Sequence, residues 1–140
     1  MHTPILTKSF VADAAIAPHR IVAIGAADGS VKQATASTDA LIGVTDSLGS
    51  NSANRVDVIQ MGVANVEYGG NVARGDDLTA DANGKAIKAT AHTHTENTAG
   101  TYAQNATTGA VTAVVRIIGL AMVAGVSGDI GSIQINQGRI

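Results

Sequence analysis

The chain has neither cysteine nor tryptophan among its 140 residues. Without thiols it holds no disulfide framework, zinc–thiolate site or cysteine nucleophile, and its composition leaves the redox compartment open. Phe10, Tyr68 and Tyr102 are the only aromatic residues, too few to build base-stacking platforms, cation cages or sugar-stacking surfaces. A formal charge of −2 and a pI near 6.0 give no extended positive field, the source of most nucleic-acid affinity, so nucleic acid is not an expected partner. Long apolar runs are missing too. The longest, 111–126, is broken by Thr112, Arg116 and several glycines and falls short of the roughly 20 residues that span a bilayer, so no membrane segment is expected. The opening MHTPILTKSF lacks the charged region and apolar stretch of a secretory signal, which predicts a mature N-terminus.

What the chain does have is glycine, at 16 positions, with alanine, threonine and valine filling much of the rest. Short apolar runs separated by turn signals predict an all-β fold, and no stretch has the periodicity of an amphipathic helix of normal length. Ile5 to Val11 reads as a first extended segment and Arg20 to Ala27 as a buried strand. Asp28-Gly29 suits a tight hairpin turn into Val31 to Thr35. Leu41 to Asp46 follows. Period-two alternation over Arg55 to Gln60, and again over Val63 to Tyr68, predicts two sequential strands with a turn at Met61-Gly62. Asn83-Gly84 predicts a second hairpin between Leu78 to Ala80 and Ala86 to Lys88. The segment 90–109 is rich in Ala, Thr, Asn and Gly, with little apolar surface to offset ordering entropy, and is expected to be a long exposed loop. Val111 to Val123 reads as a strand buried on both faces, and Ile133 to Asn136 as a last strand. Ile42-Gly43-Val44 and Ile118-Gly119-Leu120 form an internal echo, each followed at equal spacing by Gly62 or Gly138, which fits repeated β units.

Constellations for chemistry are thin. His92 and His94, with Glu96 in the same phase, would present two imidazoles on one side of an extended segment. A metal site needs further ligands and a rigid frame, so the expected reading is solvated loop histidines, with no metal. Asp76, Asp77 and Asp81 with Asn83 and Gly84 do not follow the order of a calcium loop and read as turn formers. Arg74-Gly75-Asp76 is an integrin-type tripeptide without supporting context. No nucleophile elbow or phosphate loop occurs, so catalytic and cofactor-binding residues are not expected.

The succession RIVAIGAADGSVKQAT, LIGVTD, RGDDLTADANGKAIKA, RIIGLAMV and GDIGSIQI resembles the small head-decoration, or cement, proteins of tailed phages. Gly75, Asp76, Leu78, Asp81 and Gly84 match a recurrent hairpin of that group, and Ile118, Gly119 and Ala121 a later strand. The resemblance implies a single domain over 1–140, a jelly-roll-like β-sandwich without enzymatic activity or cofactor. It further implies a place on the outer surface of the virion capsid after synthesis in the host cytoplasm, the major capsid protein as partner, and self-association, as a homodimer first and a trimer second. A tail-fibre or adhesin-type module reading a host surface through 90–109 is the alternative from another class.

A binder poor in aromatics must draw affinity from backbone pairing and aliphatic contacts. Residues 1–11 are therefore a candidate arm that adds a strand to a capsid protein or a neighbouring copy; the competing expectation is an ordinary first strand of the domain's own sheet. Ile5, Leu6, Phe10, Val11 and Arg139 are the candidate capsid or oligomer contacts.

Overall fold

The computed structural model describes residues 2–51, 54–91 and 114–140. Its strands are β1 (Thr3–Ala12), β2 (Ile21–Ile24), β3 (Ser30–Gln33), β4 (Leu41–Thr45), β5 (Arg55–Glu67), β6 (Asp77–Ala80), β7 (Ala86–Lys88), β8 (Arg116–Ala121) and β9 (Ile130–Arg139), with no helix among the described residues. The all-β expectation holds. The strands form one mixed nine-stranded sheet in the order β1-β3-β2-β4-β5-β9-β8-β6-β7 that doubles on itself because β1 also pairs with β5. The two hairpins predicted from Asp28-Gly29 and Asn83-Gly84 are the antiparallel pairs β2–β3 and β6–β7.

Two segments differ from expectation. Met61-Gly62 is no turn: β5 runs straight through it, and the irregularity is absorbed as register shifts against β1 near Ile5 and Gln60. Gly62 sits at φ 103°, and a Cβ there would meet the Thr3 carbonyl oxygen and the Ile5 nitrogen, so the bulge requires glycine. The strand expected over Val111 to Val123 is confined to Arg116–Ala121, between β9 and β6, and 111–113 lie outside the described residues. The loop expected over 90–109 falls almost wholly outside them as well, with His92, His94 and Glu96.

The sequence echo is the trace of a duplicated frame. In the first half the Ala12 N–H donates to the Asn54 carbonyl, Ile16 and Ser50 exchange two hydrogen bonds, and the His19 N–H donates to the Asp46 carbonyl. In the second half these recur as Tyr68 to Asp129, Val72 with Gly125, and Gly75 to Ala121. Even the parallel pairing of β1 with β3 recurs, as a bridge between Tyr68 and Ala86. β5 serves both halves, closing the first with its N-terminal part and opening the second with its C-terminal part. Gly43 and Gly119 are equivalent close approaches: a Cβ on either would overlap the backbone of the neighbouring strand, at Ile59 and Gln134 respectively.

Two apolar clusters follow from this frame. Phe10, Ala12, Ile16, Val22, Val31, Val56 and Val58 fill the first half. The larger cluster joins the halves: Ile21, Ala23 and Val44 from the first pack with Tyr68, Leu78, Ile118 and Ile133 from the second. β2 thus buries Ile21 and Ala23 on one side and Val22 on the other, which is why its sequence is continuously apolar.

Candidate docking surface

Between Thr3 and Phe10, β1 has β5 on one edge and no strand on the other among the described residues; β3 reaches only Val11 and Ala12. The Val11 N–H points to Gly29 on the β3 side and the Ala12 N–H to Asn54 on the β5 side. By strand alternation, the backbone groups of Thr7 and Ser9 therefore face the open edge. Ile5 is 77% exposed, Leu6 44%, Val11 39% and Met61 52%. Leu6 and Met61 are register partners across the bulged ladder and Ile5 is the unpaired residue next to Leu6, so three exposed apolar residues, termed the ridge below, gather at this end of β1. Exposed apolar surface beside an unpaired edge is the geometry of strand addition. The same edge carries a bulge, Pro4 and Lys8, devices that discourage indiscriminate pairing.

The other candidates fall elsewhere. Phe10 is only 8% exposed and belongs to the first-half core, with Lys8 Nζ 5.1 Å from its ring centroid. Arg139 is exposed at the end of β9, paired in register with Arg116 and lying across β5 from β1, so the structure does not bring it to the ridge. Met61 was missed by sequence reasoning because Met-Gly reads as a turn; the unbroken alternation on either side was the available signal.

A concavity of about 640 Å³ opens beside Ile16, Pro18, Leu48, Ser50 and Arg55. Among the described residues Arg55 is its only ionisable lining residue, and these assemble no acid–base pair. Of the acidic residues of 74–85, Asp76 and Asp81 are occupied in turns, and Asp77 opens β6. Asp76 accepts from the Ala73 N–H at 2.9 Å and pairs with Lys88 at 2.8 Å, which holds its carboxyl below the ordinary range. Asp81 Oδ1 accepts from the Asn83 and Lys85 N–H groups at 2.8 and 2.9 Å.

A family model described as phage cement protein matches residues 2–117. The chain belongs to the phage cement protein family. It is a capsid-associated structural protein of a phage. The matched residues hold the whole first half, the ridge and the second-half hairpin; most of β8 and all of β9 follow the match. Comparison with curated proteins returns no match. Among solved structures, the head fiber N base of bacteriophage phi29 superposes with a TM-score of 0.60 at 14% identity, covering 96% of this chain and 97% of that one. At that identity the likeness is one of fold, and it extends over both halves of the cement protein.

Proposed function

We propose that this cement protein docks on the outer surface of an assembled phage head and stabilises it by bridging major capsid protein subunits. The observation that carries the reading is the ridge of Ile5, Leu6 and Met61 beside the open edge of β1. Backbone pairing at Thr7 and Ser9 gives direction, and the aliphatic side chains exclude water around it. Each contact is modest, and linking several such contacts in a dimer, or failing that a trimer, raises the effective concentration of the rest when their spacing matches the shell. Selectivity for assembled heads over free subunits then follows from geometry.

Titration of the purified protein against expanded shells and against free capsid protein tests this. Saturable binding to shells, weak binding to free subunits and a raised temperature of particle disruption are expected. Equal affinity for both, or no thermal protection at saturation, contradicts the reading, as does preferential binding to host cells.

A further inference from the structure

Met122, Val123, Val126 and Ile130, in and beside the turn from β8 to β9, are 38%, 41%, 55% and 56% exposed. The duplicated frame supplies an internal control for this apolar tip. On the same backbone in the first half, as fixed by the recurring hydrogen bonds of Ser50 with Ile16 and of Asn54 with Asn51 and Ala12, the corresponding residues are Ser47, Leu48, Asn51 and Arg55. Three of those four are polar, so the fold itself does not require apolar groups there.

The tip is also braced by hydrogen bonds. Val72 and Gly125 exchange two backbone hydrogen bonds, the Val126 N–H donates to Asp129 Oδ2 at 2.9 Å, and the Tyr68 hydroxyl donates to the Val123 carbonyl at 2.8 Å. A surface already held in place loses little conformational entropy on binding. Its one ionisable side chain, Asp129, is engaged in capping the turn.

We propose that this tip is a second docking surface, seated in an uncharged apolar recess of a capsid protein subunit adjacent to the one that takes the β1 ridge. The inference rests on the shell-binding reading above and gives it the second contact that bridging needs. Membership in the phage cement protein family favours a capsid subunit over a second copy as the occupant.

The double variant Val126→Asn, Ile130→Arg places at the tip the residues that the frame already carries in its first half, so folding is retained. In free solution it is expected to have the oligomeric state of the wild type. On shells it is expected to bind about tenfold more weakly or worse, as loss of a buried apolar anchor implies, and to give no thermal protection even at full occupancy. Unchanged affinity and protection overturn the proposal, and so does a smaller free oligomer, which identifies a second copy as the occupant. Absence of shell binding by the wild type overturns the function reading itself and the tip's partner with it.

Discussion

Tyr68 shows how one frame accommodates two different cores. Its side chain is fully buried, and burial pushes its phenol up, so the hydroxyl remains a neutral donor to the Val123 carbonyl. The ring occupies space left by two glycines: a Cβ on Gly131 would overlap it, and one on Gly125 would come within 2.8 Å. At the corresponding positions the first half has Ala12, Val56 and Ser50, a small residue facing larger ones. Total volume is conserved while its distribution is exchanged. Composition alone could not separate Tyr68 from the other aromatics, and Gly125 and Gly131 read as turn residues, so this packing is set by tertiary contact that no local pattern encodes. Tyr68→Ala is expected to cost about 3–5 kcal/mol through the cavity it leaves, and Gly131→Val about 3 kcal/mol through overpacking. The double variant should be less destabilised than the sum by at least about 1 kcal/mol, measured by denaturant unfolding, because valine fills the vacated space. Strict additivity would contradict the exchange.

At the scale of elements, the strands whose side chains alternate and whose turns carry Asp-Gly or Asn-Gly were legible: β2, β3, β4, β6, β7 and the ends of β5. The bulge at Gly62 was not, because glycine after methionine marks a bulge and a turn equally well. The duplication was visible only as a three-residue echo, since the connections differ in length, 34–40 between β3 and β4 against 89–115 between β7 and β8. What clamps the halves was also hidden, being set by tertiary contact. Glu67 at the end of β5 pairs with Arg20 before β2 and with Lys85 Nζ, 2.7 Å away, in the second hairpin. The hydrogen bonds of Lys85 and then Arg20 hold its carboxyl below its ordinary value of 4.5. A carboxylate with a depressed folded pKa adds stability that is fully present above the unfolded value and is lost as pH falls through the folded one. Glu67→Gln is therefore expected to lower stability at pH 7 by on the order of 1 kcal/mol, with the two proteins converging as pH falls below 4.5. Asp76, depressed by Lys88, titrates alike in both and cancels. A gap that persists unchanged in acid would show that the ion pairs do not contribute.

For the whole molecule, family membership came from an ordered set of turn and core residues spread along the chain, the part of a sequence that a fold constrains most. The exposure of the candidate contact residues was only partly legible. Ile5, Leu6 and Val11 are exposed on β1, whereas Phe10 is buried, and Met61 comes beside Leu6 only through a cross-strand register that no local pattern encodes. In the proposed arrangement one copy joins two capsid subunits on the outside of the head, through the β1 ridge of its first half and the apolar tip of its second. A density map of decorated heads at side-chain resolution tests this most directly. Ile5, Leu6 and Met61 are expected against one capsid subunit and Val126 and Ile130 against its neighbour. A copy that touches a single subunit, or that lies on the inner surface of the shell, would contradict it.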